Sequence, residues 1–260
     1  GQKVDFPEDG YQGVDIIDTT RRIIARHGDE YLDLPEDERI RILGELAYAD
    51  KMLELKDDLE KFRVHFDVWF SERTLHPDKI NAAIEVIKEK GGIYEKDGAL
   101  WLASTKYGDD KDRVVVRENG EPTYLAADIA YHKNKFERGF GELINLWGAD
   151  HHGYVARVKA AMKMLGCDAD KLKIIFLQMV SLFRSGEAVK MSKRAGTAIP
   201  LRELMAEVGT DAARYFFLMR STDSQLDFDL DLAKSQSADN PVYYVQYAHA
   251  RICSIFRQTK

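Results

Sequence analysis

Residues 143–182, LINLWGADHHGYVARVKAAMKMLGCDADKLKIIFLQMVSL, decide the fold class of this chain. The stretch holds two apolar runs, Leu143–Trp147 and Lys173–Leu182, with a helical pattern over Tyr154–Leu165 between them. Strands that alternate with helices predict a parallel sheet with helices on its faces. We therefore predict an α/β fold, and we expect a ligand at the carboxyl ends of the strands.

The sequence before this stretch is predicted to be helical first and then to form hairpins. Helical spacing of apolar residues continues to about Val64, and a further helix is predicted over Pro77–Lys90, where Gly91-Gly92 ends it. Asp97-Gly98 and Asn119-Gly120 lie between β-type runs, so each predicts a hairpin turn. The arms of the first hairpin are Ile93-Tyr94 and Ala99–Leu102, and those of the second are Val114–Val116 and Tyr124.

The sequence after this stretch is predicted to be mainly helical. Gly209 ends one helix, Ala212–Arg220 forms the next, and a polar stretch follows over Ser221–Asp239. Asn240 as N-cap and Pro241 at the first helical position begin the last predicted helix. The apolar stripe of that helix is expected to face a core formed with partner helices that are not in this sequence. The stripe consists of Val242, Val245, Ala248, Ile252 and Ile255.

Composition limits the class of protein but does not identify a function. A chain of 260 residues, of which 45% are hydrophobic and 10% aromatic, is long enough for one sizeable core and unlike a disordered protein. The absence of a membrane-length apolar run and of metal-ligand spacing at Cys167 and Cys253 argues against a membrane protein, a disulfide framework and a zinc site. The net charge of −6 gives no support for non-specific nucleic-acid binding. We expect a cytoplasmic protein.

The segment Lys190-Met191-Ser192-Lys193-Arg194 is the strongest candidate for chemistry. It has three cations in five residues and lies between an apolar strand and a helix. A mobile loop with two lysine ammonium groups is suited to neutralising a phosphate chain as pyrophosphate departs. The alternative interpretation is a solvated basic turn, which clusters of charge often are.

The segment Trp147–Tyr154 places a carboxylate and two imidazoles where an apolar strand runs into a helix. Asp150 and His151 lie between Gly148 and Gly153, and glycines allow a ligand to approach the backbone closely. Two alternatives stay open here. A metal site would lack a third ligand nearby in the sequence, and Asp150 is also typical of a helix cap.

Tyr124 and Asp128 form the third candidate site. They are four residues apart, so they lie on one face of a helix. A buried carboxylate beside a phenol suits a guanidinium, because the planar fork of that group pairs bidentately with a carboxylate. The alternative is the start of an ordinary amphipathic helix.

Together these segments resemble the arginyl-tRNA synthetases, a family of class I aminoacyl-tRNA synthetases. Lys190–Arg194 is similar to the KMSKS-type loop of that class, in its KMSKR form, and Trp147–Tyr154 is similar to the second ATP-side signature. Tyr124–Tyr131 resembles the arginine-recognition helix, and Asn240–Arg251 resembles the start of the helical anticodon-binding domain. Further segments that fit the family are Pro7–Tyr11, Lys111–Val116, Gly186–Val189, Gly209–Phe216 and Asp227–Leu230.

The resemblance implies an activity. Arginine and ATP would give arginyl-adenylate and pyrophosphate, and the arginyl group would then pass to tRNA-Arg. The expected ligands and partners are therefore L-arginine, ATP accompanied by Mg²⁺, and tRNA-Arg. In the resembling loop, Lys190 and Lys193 would hold the triphosphate while Ser192 shapes the loop, and these three are the expected catalytic residues.

The resemblance also implies binding roles. Gly148 and Asp150 would hold the ribose of ATP, and backbone groups around Met179 and Val180 would hold the adenine. No dedicated metal site in the protein is expected, because Mg²⁺ would arrive with ATP. The residues expected to bind arginine are Tyr124, Asp128 and His151.

The fold implied by the resemblance is the second half of the class I nucleotide-binding sheet, a Rossmann-like parallel sheet. Residues 1–122 would form an α+β insertion and connective part with helices and hairpins. Residues 123–239 would form the second half of the catalytic domain, and residues 240–260 the start of the anticodon-binding domain.

One motif of the class is missing. The sequence has no His-x-Gly-His, which in class I enzymes contacts ATP from the side opposite to the KMSKS-type loop. We therefore expect the chain to be a fragment of the enzyme, inactive or nearly so by itself, with a monomeric parent. Two other classes stay open, namely a non-catalytic synthetase-like module that binds tRNA or a protein, and a related nucleotidyltransferase with a different acceptor.

Overall fold

The computed structural model of the chain describes residues 13–189 and 199–259. Its helices are α1 (Val14–His27), α2 (Glu36–Lys61), α3 (Asp78–Glu89), α4 (Tyr124–Glu137), α5 (Tyr154–Leu165), α6 (Leu201–Val208), α7 (Thr210–Leu218), α8 (Leu230–Lys234) and α9 (Pro241–Gln258). Its strands are β1 (Ile93–Lys96), β2 (Ala99–Leu102), β3 (Arg113–Val116), β4 (Leu143–Gly148), β5 (Leu172–Leu177), β6 (Val180–Arg184), β7 (Glu187–Ala188) and β8 (Leu226–Asp229). These elements belong to two compact units. The first unit comprises residues 1–66, 180–220 and 226–260, and the second comprises 67–179 and 221–225.

The second unit contains an antiparallel sheet in the order β1-β2-β3. The predicted turn at Asp97-Gly98 is confirmed, since both residues have positive φ angles, 53° and 73°, as a type I′ hairpin turn requires. The second predicted hairpin is confirmed at its turn, Asn119-Gly120, but not at Tyr124. Val116 and Pro122 form an antiparallel bridge, flanked by bonds of 2.9 Å from Arg117 N–H to the Glu121 oxygen and from Thr123 N–H to the Val115 oxygen. The second arm stops there because Tyr124 begins α4.

The second unit also contains the predicted β-α-β arrangement. β4 and β5 pair in parallel, from Leu143 opposite Leu172 to Gly148 opposite Leu177, and α5 connects them. A single cluster of buried apolar side chains joins α3, α4 and α5 to one face of this pair. The predicted α/β class with a parallel sheet is confirmed. Fully buried members of the cluster are Ile80, Ile87, Ile129, Val158, Met162 and Leu172.

The other face of the β4–β5 pair is apolar but exposed. Ile144 and Leu146 of β4 and Ile175 and Leu177 of β5 are 37–62% exposed. Because side chains alternate along a strand, these four share the face opposite to Leu143 and Leu172. Parallel sheets are usually covered on both faces, so this face is unusual for its class.

The predicted apolar run Lys173–Leu182 is divided between two strands. β5 ends at Leu177, and the backbone N–H of the next residue, Gln178, donates to the carbonyl oxygen of Thr222 at 3.0 Å. β6 begins at Val180 and belongs to the first unit, where it pairs in parallel with β8 and antiparallel with β7. The parallel pairs of the described residues therefore lie in two separate sheets.

The core of the first unit is built around Phe228 of β8, which is 0% exposed. Its ring centroid lies 5.1 Å from that of Phe216 and 5.5 Å from that of Phe217, both in α7. Side chains of β6, α6 and α8 complete the cluster. Both β8 and α8 lie in Ser221–Asp239, which the sequence presents as polar.

The helices α1 and α2 of the first unit pack together through a buried ion-pair cluster. The carboxylate of Asp50 accepts hydrogen bonds from Arg22 and Arg26, each with a shortest distance of 2.6 Å. The Asp50 side chain is 4% exposed, whereas the two arginines are 40% and 53% exposed. No helix among the described residues combines the length and apolar character needed to cross a membrane.

The predicted start of α9 in the first unit is confirmed. The Asn240 side chain accepts a hydrogen bond from the backbone N–H of Val242 at 3.1 Å, and Pro241 is the first helical residue. Of the apolar stripe, Val242 is buried, whereas Val245, Ile252 and Ile255 are 51–59% exposed. The stripe is exposed there because the contacts of α9 with α7 lie near its beginning, where Gln246 donates to Asp211.

Candidate functional site

A cavity of about 530 Å³ in the second unit runs along one face of α4. That helix contributes Tyr124, Asp128, Tyr131, His132 and Lys135 to the lining. These residues recur every three or four positions and therefore share one side of the helix. Tyr124 and Asp128, which were predicted to bind arginine, thus line one cavity, and the Tyr124 side chain is largely exposed at 84%.

The rest of the cavity lining lies at the carboxyl end of β4 and in the turn that follows it. Asn145, Trp147 and Gly148 come from the strand, His151 comes from the 3-10 turn Ala149–His151, and Tyr154 is the first residue of α5. The β-α-β arrangement predicts a ligand at this end of the strand. The structure therefore places Gly148 and His151 in the same cavity as Tyr124 and Asp128.

The Asp128 carboxylate is held at the wall of the cavity by a phenol. The hydroxyl of Tyr154 donates to Asp128 Oδ2 at 2.7 Å. Burial raises the pKa of Tyr154, and the adjacent carboxylate raises it further, so the phenol stays protonated and remains a donor at pH 7. One carboxylate oxygen is thus engaged by the protein.

A series of hydrogen bonds links His132, Asn145 and Lys135 along the cavity wall, beside Asp128. His132 Nδ1 is 2.7 Å from the backbone oxygen of Asp128, and His132 Nε2 is 2.6 Å from Asn145 Nδ2. The Lys135 ammonium donates to Asn145 Oδ1 at 2.8 Å. His132 and Asn145 are only 3% and 5% exposed. Burial lowers the pKa of His132 and also that of Lys135.

Aromatic rings lie around Tyr154, whose hydroxyl holds the Asp128 carboxylate. The Trp147 ring centroid lies 5.8 Å from that of Tyr154, 6.4 Å from that of His151 and 6.3 Å from that of His132. The Arg157 guanidinium lies 4.8 Å from the centre of the Tyr154 ring. A carboxylate that shares a cavity with aromatic rings is suited to a planar cation, which can pair with the oxygen atoms and stack on a ring.

The predicted ribose-binding residues lie at the turn after β4. A Cβ atom added to Gly148 would lie 2.6 Å from Asp150 Oδ1, so a larger residue would force that side chain to move. Asp150 is 80% exposed, and its carboxylate is 3.6 Å from His151 Nε2. The helix-cap alternative for Asp150 is not supported, because α5 has Gly153 as its N-cap and no side-chain cap bond.

The other predicted ATP-binding residues have less structural context. Met179 follows the end of β5 and is 76% exposed, and Val180 begins β6. Lys190, Ser192 and Lys193 lie outside the described residues. Within residues 13–189 and 199–259, no group of three or more His, Cys, Asp or Glu side chains is placed to hold a metal ion.

Several cavity residues were not predicted from the sequence. Tyr154 lies in the quoted segment Trp147–Tyr154, but its spacing does not indicate that it contacts Asp128, 26 residues earlier. His132 and Lys135 lie on the same helical face as Tyr124 and Asp128, and that periodicity was the available signal. Asn145 had no such signal, since alternation within a strand indicates burial but not a partner.

The sequence of the chain matches a known protein family over most of its length. The sequence model of the family described as "tRNA synthetases class I (R), catalytic domain" matches residues 36–248. The arginine–tRNA ligase of Carboxydothermus hydrogenoformans is 60% identical over 259 residues, which are 99% of this chain and 46% of that protein. The arginine–tRNA ligase of Anoxybacillus flavithermus is 57% identical over 99% of this chain and 47% of that protein. The chain therefore spans about half the length of these curated relatives.

Solved structures give the same result. A Campylobacter jejuni chain assigned as an arginyl-tRNA synthetase superimposes with a TM-score of 0.89 at 45% identity, covering 99% of this chain and 56% of that one. The arginyl-tRNA synthetase of Thermus thermophilus superimposes with a TM-score of 0.65 at 21% identity, over 95% of this chain and 53% of that one. The second likeness supports the fold alone.

Proposed function

The chain belongs to the family of class I arginyl-tRNA synthetase catalytic domains, and from this premise we propose that it carries part of the arginine- and ATP-binding site of an arginine–tRNA ligase. The proposed reaction has two steps. Arginine and ATP form arginyl-adenylate and pyrophosphate, and the arginyl group then passes to the end of tRNA-Arg. The observation that carries the proposal is the Asp128 carboxylate in the wall of the cavity, held by Tyr154.

The guanidinium of arginine is proposed to pair with Asp128. A carboxylate among aromatic rings favours a planar, delocalised cation over a compact ammonium, because the planar cation pairs and stacks at the same time. Tyr124 and His151 line the same cavity and are proposed to make further contacts with arginine. In this proposal, arginine is favoured over lysine by the planar shape and stacking of its guanidinium group.

The reacting end of arginine is proposed to point toward the carboxyl end of β4. Gly148 and Asp150 lie there, and Asp150, as a carboxylate, can accept hydrogen bonds from the ribose hydroxyl groups of ATP. Backbone groups near Met179 and Val180 are proposed to contact the adenine. The carboxylate of arginine is itself the nucleophile toward the α-phosphate, so no protein nucleophile is required, and catalysis is mostly positioning and charge stabilisation.

The loop Lys190–Arg194 is proposed to neutralise the negative charge that develops on the phosphates. Lys190 and Lys193 are proposed to neutralise the departing pyrophosphate, and Ser192 to shape the loop. Mg²⁺ is proposed to accompany ATP on its phosphate oxygens, in keeping with the hard, water-rich coordination that this ion prefers. The chain's own contribution to that step is then positive charge and positioning.

Partners and domain limits follow from the same proposal. The macromolecular partner is tRNA-Arg, and the site of action is the cytoplasm, where translation takes place. We propose residues 1–122 as the insertion and connective part, residues 123–239 as the second half of the catalytic domain, and residues 240–260 as the start of the anticodon-binding domain. The parent enzyme is proposed to act as a monomer.

Calorimetric titration of the chain with a non-hydrolysable arginyl-adenylate analogue tests the arginine site, with the lysyl analogue as the competing ligand. We expect the arginyl analogue to bind more tightly. Asp128→Asn should weaken that binding by roughly thirtyfold or more, because a charged hydrogen-bonded pair contributes on the order of 2 kcal/mol or more to binding. Glu137→Gln is the matched control, since it removes a carboxylate of α4 outside the cavity.

A chimera tests the reaction. The matched residues of the Carboxydothermus hydrogenoformans ligase are replaced by this chain, and charging of tRNA-Arg is measured with and without Asp128→Asn. Charging by the chimera and its loss in the variant are expected. A folded chimera without charging activity, or equal affinity of the chain for arginyl and lysyl analogues, would contradict the proposal.

A further inference from the structure

The hydrogen-bonded chain from Lys135 to Asp128 has only one consistent arrangement of protons. A lysine ammonium only donates, so Asn145 must turn its oxygen toward Lys135 and its NH₂ group toward His132. The backbone oxygen of Asp128 only accepts, so His132 Nδ1 must carry a proton. His132 Nε2 then faces a donor, Asn145 Nδ2, at 2.6 Å and must be unprotonated. A second proton on His132 would place two donors against each other.

We propose that Lys135, acting through Asn145, holds His132 as the neutral Nδ1–H tautomer and so keeps a positive charge away from the carboxylate that pairs with the guanidinium of arginine. His132 and Asn145 are positioning residues in this scheme. Neither needs to touch the substrate. The effect on arginine rests on the proposed function, whereas the state of the His132 ring does not.

The surroundings of His132 support this arrangement. From its own helix, Asp128, Tyr131 and Lys135 face the ring, and the Tyr131 ring centroid is 6.2 Å away. β4 contributes Asn145 and the uncharged Trp147. Tyr154 from α5 and His151 from the preceding turn line the same cavity. Burial opposes a charged ring most strongly, and the Lys135 ammonium opposes it as well. Together they outweigh the backbone oxygen and carboxylate of Asp128, which favour it, so the pKa of His132 is lowered.

The scheme makes a prediction that simple charge counting does not. Lys135 lines a cavity that is proposed to bind a cation, so its removal would strengthen arginine binding if only net charge mattered. In the proposed scheme, Lys135→Met frees the Asn145 amide to turn over and offer its oxygen to a protonated His132. The variant should then lose arginine affinity as the pH falls, by about tenfold once the ring is charged.

The experiment combines histidine NMR with calorimetry on the full chain. Long-range ¹H–¹⁵N spectra report which ring nitrogen carries the proton, and His132→Gln identifies its signal among the seven histidines. We expect a neutral Nδ1–H ring between about pH 5 and pH 8, the range in which an unperturbed histidine titrates. In Lys135→Met, the His132 ring should titrate within this range. In the control Lys133→Met, which alters a residue of α4 outside the cavity, the ring should stay neutral.

Asn145→Asp gives an independent test should Lys135→Met fold poorly. It is nearly isosteric, still accepts from Lys135, and presents an acceptor to His132 Nε2, so the ring should be doubly protonated at pH 7. A charged or Nε2–H ring in the unaltered chain, or a ring in Asn145→Asp that stays neutral at pH 7, would overturn the proposal. Tighter binding of arginine by Lys135→Met than by the unaltered chain at every pH would also overturn it. Absence of arginine binding by all forms would count against the proposed function, and the NMR result would still decide the state of His132.

Discussion

Tyr154→Phe removes one oxygen atom from the cavity wall. It should weaken arginine binding more than it lowers the stability of the fold. The lost hydrogen bond, 2.7 Å from the phenol to Asp128 Oδ2, has a charged acceptor. Such bonds contribute about 1.5–3 kcal/mol, and the half-buried position of Tyr154 favours the lower value. We therefore expect arginine to bind about tenfold more weakly, since about 1.4 kcal/mol corresponds to a factor of ten. The loss arises because Asp128 is no longer held in one orientation.

Stability should change less than binding. Without arginine, water in the cavity can replace the phenol as a donor to Asp128, so we expect the free energy of unfolding to fall by about 1 kcal/mol or less. The stability difference between the unaltered chain and the variant should also narrow in alkali. The pKa of Tyr154 is raised in the folded protein, so its contribution is complete below about pH 10, the pKa of an unfolded tyrosine, and declines as the pH rises further.

Calorimetry with L-arginine measures the binding term, and urea denaturation at pH 7 and in alkali measures the stability term. Tyr94→Phe is the matched control, because the Tyr94 hydroxyl donates to Asp112 Oδ2 at 2.9 Å in the same unit but outside the cavity. In the chimeric enzyme, KM for arginine should rise while kcat changes little. Unchanged arginine affinity in Tyr154→Phe, or an equal loss in Tyr94→Phe, would refute the reasoning.

Two further predictions concern buried carboxylates. Burial raises the pKa of Asp109, but hydrogen bonds, chiefly from Arg113, outweigh burial and lower this pKa to about 2 from 3.8. Asp109→Asn should therefore reduce the free energy of unfolding at pH 7 by about 2 kcal/mol. Urea denaturation should show that this difference is complete above about pH 4, the unfolded pKa, and shrinks as the pH falls toward 2; a difference independent of pH would contradict it. Asp50→Asn should cost about 2 kcal/mol, less than a fully buried pair, because its partners Arg22 and Arg26 are half-exposed. Thermal melting and hydrogen exchange in α1 and α2 measure this effect, and unchanged exchange there would show that the ion pairs contribute nothing.

Local signals in the sequence were sufficient for most of the second unit. The helix predicted over Tyr154–Leu165 has those same bounds in the structure, because its apolar spacing and Gly166 are local features. The apolar run Lys173–Leu182 was misleading, since nothing within it marks Gln178 as the point where hydrogen bonding turns to Thr222. The arm predicted after the Asn119-Gly120 turn extended too far, because Thr123 is the N-cap of α4 and Tyr124 begins that helix.

The candidate site was predictable to the extent that it lies on one helix. Tyr124 and Asp128 are related by helical spacing, which a sequence displays directly. Their partners depend on the tertiary fold, since Tyr154 and Asn145 reach α4 from other elements. The proton arrangement at His132 is still less accessible, because it follows from three consecutive hydrogen bonds and not from any residue type.

The exposed face of the β4–β5 pair has a calorimetric consequence. Ile144, Leu146, Ile175 and Leu177 are already 37–62% in contact with water in the folded state. The heat capacity increase on unfolding comes from apolar surface that becomes newly hydrated, and the urea dependence of stability scales with newly exposed surface of every kind. Surface that is wet before unfolding adds to neither quantity. Per residue, both should therefore be smaller for this unit than for a domain whose parallel strands are covered on both sides.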